Sequence, residues 1–100
     1  MSDTRIRVHP GEVLREEFMQ PLGLSANALA RALHVPPNRI TAIVAPTHRR
    51  GVTPDTALRL ARYFATTPQF WLNLQLAHDL SSVEATAGTR IEREVQPKAA

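Results

Sequence analysis

The stretch GLSANALARALHVPPNRITAIV, residues 23–44, decides the fold of this chain. Ser25 is a good N-cap for the segment ANALARAL, because its hydroxyl can accept a bond from a backbone N–H in the first helical turn. Pro36 ends that helix, since the residue before a proline avoids helical geometry, and Pro37 suits the first position of a second helix running to about Val44. The stretch therefore predicts two helices joined by a short turn.

The apolar positions of this two-helix unit have the register of a helix-turn-helix. The residues that such a unit buries are Ala30, Val35, Ile40 and Ile43. The N-terminal part of the second helix would then enter the DNA major groove. Arg39 can donate two bonds to guanine, Asn38 can pair with adenine, and Thr41 or Ala42 can contact a thymine methyl. The predicted base-reading positions are Pro37, Asn38, Arg39, Thr41 and Ala42.

Phosphate contacts are predicted on both sides of the reading helix. Ser25 and Asn27, at the start of the preceding helix, can present hydroxyl, amide and backbone N–H groups to the DNA backbone. The loop that follows the reading helix adds phosphate or minor-groove contacts from Thr47, His48, Arg49 and Arg50. Residues 31–62 hold six arginines against one aspartate, and this local positive charge suggests an anionic partner.

The rest of the chain also reads as helical, so the predicted fold class is all-α. A first helix starts with Pro10 and stops at Pro21 and Gly23, and further helices begin at the cap residues Thr53 and Thr67, each followed by proline. We divide the chain into a helix-turn-helix domain, residues 1–85, and a C-terminal tail, residues 86–100. Within the tail, residues 90–97 are expected to be ordered only on binding or in a dimer, because alone they bury too little to offset their chain entropy.

Composition narrows the class of protein. One hundred residues, 43% of them hydrophobic and 21% charged, fit a single globular domain. No apolar run approaches the ~18 residues of a membrane span, and no signal core is seen, so a cytoplasmic location is expected. The chain lacks cysteine and its four histidines lack the spacing of a zinc site. We therefore predict neither an enzyme nor a metal or cofactor site.

From Pro10 to about Leu80 the chain resembles the HigA/VapI group of antitoxins in the Xre/Cro helix-turn-helix family. The resemblance rests on four blocks in order and spacing: HPGEVLREEF, GLSANALARALHVPPNRITAIV, GVTPDTALRLARYF and TPQFWLNLQ. It implies a five-helix, lambda-repressor-like domain that forms a homodimer, binds double-stranded operator DNA and represses its own operon. It also implies a partner toxin that resembles the mRNA interferases RelE and HigB.

Two departures from the family pattern are visible. His34 replaces the glycine that commonly ends the second helix in a left-handed conformation, so it either adopts positive φ or ends the helix differently. The loop from Val44 to Gly51 is longer than the usual turn and begins with Ala45-Pro46.

The fifth helix is the predicted dimer surface, because its large apolar residues cannot all face one core. The residues proposed for the interface are Trp71, Leu72, Leu76 and Leu80. Two alternatives to a DNA-binding antitoxin remain open: a stand-alone Xre-family repressor without a toxin partner, and a protein-interaction module whose toxin contacts matter and whose DNA-facing surface has degenerated.

Overall fold

The computed structural model describes residues 5–99, and all regular secondary structure within that range is helical. Helix α1 consists of an α-helical turn at Pro10–Val13, a π-helical turn at Leu14–Met19 and a final α-helical turn at Gln20–Leu22. It is followed by α2 (Ala26–Leu33), α3 (Pro37–Ile43), α4 (Pro54–Phe64) and α5 (Pro68–Glu94). The predicted all-α, five-helix fold is confirmed.

The predicted hydroxyl caps start three of the helices. The side-chain oxygens of Ser25, Thr53 and Thr67 accept the backbone N–H three residues further on, at 3.0, 3.4 and 3.1 Å. Pro54 and Pro68 occupy the first helical positions, where the missing N–H costs no intrahelical bond. These starts were readable in the sequence because a cap involves only residues that are close along the chain.

Of the two residues predicted to stop the first helix, Gly23 ends it and Pro21 does not. Helix α1 continues through Pro21 to Leu22, and Gly23 ends it with a left-handed φ of 63°. In the preceding π-helical turn the N–H of Gln20 donates to the carbonyl of Arg15, five residues back. This wider turn moves the carbonyls away from the proline ring, whose clash with the fourth carbonyl back would break a regular helix.

One hydrophobic core fills the space between the helices. Its buried apolar residues come from all five helices and the loop before α4: Leu14, Met19, Leu29, Ala30, Leu33, Ile40, Ile43, Val52, Ala57, Leu60, Ala61 and Trp71. Trp71 is completely buried, and its indole N–H donates to Thr66 Oγ1 at 2.9 Å. The Phe18 ring packs against it with a centroid distance of 5.1 Å. Trp71 was therefore wrongly assigned to the dimer surface, because it already fills the core of its own domain.

Helix α5 is longer than the sequence reading predicted. Residues 86–94, assigned to the tail, form its last turns. The expectation that residues 90–97 would be ordered only on binding or in a dimer was therefore wrong for residues 90–94. No proline interrupts the chain between Pro68 and Pro97, and an exposed Arg90–Glu94 pair, 3.8 Å apart, joins successive turns. The boundary drawn at residue 85 stays a prediction.

Candidate nucleic-acid interface

A left-handed residue turns the chain between α2 and α3. His34 ends α2 with φ 59° and ψ 46°, and the N–H of Val35 then donates to the carbonyl of Ala30 at 3.0 Å. Of the two outcomes left open for His34, the structure has the first: it adopts the glycine-like conformation. Ala30 is completely buried, as the register predicted.

Helix α3 divides into a buried side and an outer side. Ile40 and Ile43 are completely buried, whereas Pro37, Asn38 and Thr41 are exposed. Arg39 and Ala42 lie at the edge and are half-buried. The structure thus places all the predicted base-reading residues on one short helix, with Pro37, Asn38 and Arg39 at its N-terminal end.

Two side chains of α3, those of Thr41 and Arg39, form hydrogen bonds within the protein. The hydroxyl of Thr41 donates to the carbonyl of Asn38 at 3.3 Å, which leaves its methyl group as the part available to an apolar base edge. Arg39 NH1 donates to Asp55 Oδ2 at 2.8 Å, across the gap between α3 and α4. This ion pair links the Arg39 side chain to α4.

Asp55 and Arg59 also belong to this network, and neither was among the predicted site residues. The same Oδ2 atom accepts a second bond from Arg59 Nε at 2.9 Å, and Arg59 NH1 donates to the Leu33 carbonyl at 2.9 Å. The hydrogen bond from Arg59, followed by its charge and the bond and charge of Arg39, lowers the pKa of the Asp55 carboxyl. An acid four residues before an arginine was visible in the sequence, but its contact with Arg39 was not.

The loop after α3 folds back on the domain. The N–H of Arg50 donates to the Ala42 carbonyl at 2.9 Å, and the N–H of Val52 donates to Gln75 Oε1 on α5 at 2.7 Å. Arg50 is exposed, but the half-buried Arg49 donates from its guanidinium to the carbonyl of Ala45. Arg50 is thus the freer of the two loop arginines.

The other predicted phosphate ligands also lie at the surface. Thr47 and His48 are exposed in the loop, with His48 at φ 52°. Asn27 is exposed in the first turn of α2, next to the cap residue Ser25. The Ser25 oxygen accepts the N–H of Ala28, so its hydroxyl hydrogen is still available to donate to a phosphate.

The start of α1 supports the far end of the reading helix. His9 caps α1, with Nδ1 accepting the N–H of Gly11 at 2.9 Å, and its ring meets that of His78 edge-on at 4.8 Å. Burial, reinforced by electrostatic interactions with His78 and Arg49, lowers the pKa of His9 to about 4. A Cβ atom on Gly11 would overlap the carbonyl of Ile43, so α1 lies directly against the last turn of α3.

Residues 5–99 contain no group of three or more His, Asp and Glu side chains arranged to hold a metal ion. None of the helices in this range is long and apolar enough to cross a membrane.

Comparison with known proteins identifies the family. The helix-turn-helix family matches residues 16–71, which include α2, α3 and α4. Virulence-associated protein I of Dichelobacter nodosus is 60% identical over 77 residues, 77% of this chain and 69% of that protein. The Pseudomonas aeruginosa antitoxin HigA, solved with the higBA promoter, is 44% identical with a TM-score of 0.85, over 92% of this chain and 98% of that one. The chain belongs to the HigA-type antitoxins of the Xre helix-turn-helix family.

A further relative extends the likeness to the whole chain. The antitoxin GraA, solved in complex with its operator, is 46% identical with a TM-score of 0.90, covering 100% of this chain and 99% of that chain. The family predicted from the four sequence blocks is thereby confirmed.

Proposed function

We propose that this chain is an antitoxin that binds operator DNA through α3, represses its own operon and neutralises a RelE- or HigB-like toxin. The observation that carries the DNA-binding part is the exposed N-terminal end of α3, backed by buried Ile40 and Ile43, in a fold shared with two relatives solved on promoter or operator DNA. Its role is binding and not catalysis. The base-reading and phosphate contacts are those predicted from the sequence, with Arg50 favoured over Arg49.

Sequence-specific binding is tested with the DNA upstream of the gene for this chain. Fluorescence anisotropy would compare that DNA with scrambled DNA of equal length over a salt series. We expect preference for the upstream DNA and an affinity that falls steeply with salt, because phosphate contacts release counterions. The double variant Asn38→Ala/Arg39→Ala should lose most of this preference, whereas Arg50→Ala should weaken binding to both DNAs. Preference that survives the double variant would exclude α3 as the reader and favour the interaction module with a degenerate DNA face.

The dimer surface that we propose is an apolar seam along α5. Leu76, Leu80, Val83 and Ile91 are 64, 56, 50 and 42% exposed, and with Ala87 they recur every three or four residues. A row with this spacing forms one stripe along a helix, as in helices that pair with each other. Leu72, by contrast, is half-buried and packs against the core of its own domain.

A two-fold dimer through this seam would let two copies of α3 read half-sites about one DNA turn apart, roughly 34 Å. Leu80→Glu tests the seam, with Leu58→Glu as a matched control, because Leu58 is 61% exposed on α4. Light scattering should show a monomer for Leu80→Glu and a dimer for both the control and the parent chain. A dimer that persists in Leu80→Glu would place the interface elsewhere.

Toxin neutralisation rests on membership of the HigA-type family. The test is co-expression with the product of a small gene adjacent to the one encoding this chain. We expect the neighbour alone to arrest growth and the pair to grow and co-purify. Normal growth with the neighbour alone would leave the stand-alone repressor as the better description.

A further inference from the structure

We infer that Asp55 is a positioning residue for sequence readout: it orients Arg39 so that the free edge of its guanidinium faces a guanine. The inference rests on the proposed operator binding by α3. Asp55 lies on α4, outside the helix-turn-helix unit, and nothing in the register of α3 identifies it.

The geometry leaves Arg39 able to bind Asp55 and a base at the same time. Asp55 accepts a bond from NH1 of Arg39, at 2.8 Å. A guanidinium has five N–H donors in a fixed plane, so the edge formed by Nε and NH2 can still donate two parallel bonds to guanine O6 and N7. The ion pair therefore restricts rotation of the long Arg39 side chain without using the edge that would read the base.

Asp55 is itself fixed. It lies in the first turn of α4, where a negative charge is favoured, and Arg59, one turn later, donates to the same oxygen at 2.9 Å. Arg59 is in turn tied to the Leu33 carbonyl at the end of α2. The chain of contacts thus connects Arg39 to two helices of the domain, and a guanidinium held in this way loses less rotational freedom when it binds a base.

The negative charge of a carboxylate among these arginines weakens the attraction of this surface for DNA. We expect the positioning of Arg39 by Asp55 to offset that loss at the operator. Arg39, Arg50 and Arg59 line one surface depression of about 330 Å³ together with Asp55. A negative charge there repels DNA phosphates, so removing it should strengthen binding to any DNA if Asp55 contributed only charge. Positioning predicts the opposite effect on discrimination between sequences.

The experiment measures the ratio of affinities for the upstream DNA and scrambled DNA. The variants are Asp55→Ala, Asp55→Asn, Arg39→Ala and the double variant Asp55→Ala/Arg39→Ala. Glu17→Gln, an exposed acid on α1, is the control for removing one negative charge. Thermal unfolding of each variant confirms that the binding comparison uses folded protein.

We expect Asp55→Ala to lower the ratio about 5- to 20-fold, while affinity for scrambled DNA stays equal or rises. This change is part of the discrimination that one bidentate base contact provides. Asp55→Asn, which keeps a neutral acceptor, should recover part of the ratio, and Glu17→Gln should leave it unchanged. In the Arg39→Ala background, Asp55→Ala should have no further effect on the ratio.

Three results would overturn the inference. They are an unchanged ratio in Asp55→Ala, a higher ratio, or an equal loss with and without Arg39. The parent chain separates these from failure of the proposed function. If the parent chain does not prefer the upstream DNA, the proposed operator binding is wrong. If it does prefer that DNA and Arg39→Ala loses the preference, an unchanged ratio in Asp55→Ala refutes only the positioning role of Asp55.

Discussion

Replacing Gly11 by alanine should destabilise the domain at the contact that supports the reading helix. An added Cβ would lie 2.8 Å from the carbonyl carbon of Ile43 and would overlap the carbonyl oxygen. The obstacle is backbone in the last turn of α3, so it cannot rotate away as a flexible side chain would. Relieving the clash requires α1 and α3 to separate.

The cost should be about 2–3 kcal/mol of unfolding free energy, the range of overpacking in a close-packed interior. For a domain of this size that corresponds to a fall in melting temperature of roughly 10–20 °C. Affinity for the upstream DNA should also fall several-fold at temperatures where the variant is folded, because the far end of α3 has moved.

Urea unfolding followed by circular dichroism measures the change. Gly88→Ala is the matched control, since the nearest atom to its new Cβ is 3.9 Å away and alanine is the better helix former. The same substitution should therefore stabilise at Gly88 by up to about 1 kcal/mol. A loss below about 1 kcal/mol for Gly11→Ala, or a gain like that of the control, would refute the close approach of α1 to α3.

Three further predictions concern buried groups and caps. The pKa of His9 in the folded protein is about 4, below the ordinary 6.5, so unfolding in acid takes up a proton and the stability present above pH 6.5 should be lost as the pH falls towards 4, by up to about 3 kcal/mol. His9→Asn keeps a capping acceptor but does not titrate, so unfolding curves recorded over a pH series should show a smaller loss of stability in this range. Trp71→Phe should cost about 1–3 kcal/mol, through a cavity and the lost bond to Thr66, without changing the oligomeric state in light scattering. Ser25→Ala should cost about 1 kcal/mol in urea unfolding by removing the α2 cap, whereas Ser25→Asp should retain most of that stability; equal losses in the two variants would contradict the capping role.

The start of helix α5 could be predicted from the sequence, whereas its end could not. Its start at Thr67-Pro68 is a local signal, and the structure confirms it. Its end was predicted too early. Residues 86–94 bury little surface, and in the sequence their stripe of exposed apolar residues resembles only a weak core pattern. Sequence periodicity shows that a face is apolar, but it does not show whether the same chain or a partner covers it.

The dimer residues show the same limit. Trp71 and Leu80 are both large, apolar and on one helix, and nothing in their spacing decides which of them enters the core. Trp71 is buried because Phe18 and Thr66 lie against it, and those contacts depend on how α1 and the end of α4 are placed.

The sequence by itself determined the class of fold, the starts of the five helices, the presence of a turn between α2 and α3, and the outer side of α3. These features depend on neighbours within one or two helical turns, so capping residues, prolines and apolar spacing suffice to specify them. Only the tertiary structure decided that Gly11 lies against Ile43, that Trp71 belongs to the core and that Asp55 holds Arg39. Each of these joins residues far apart in the chain, and such pairs meet only after the helices have packed.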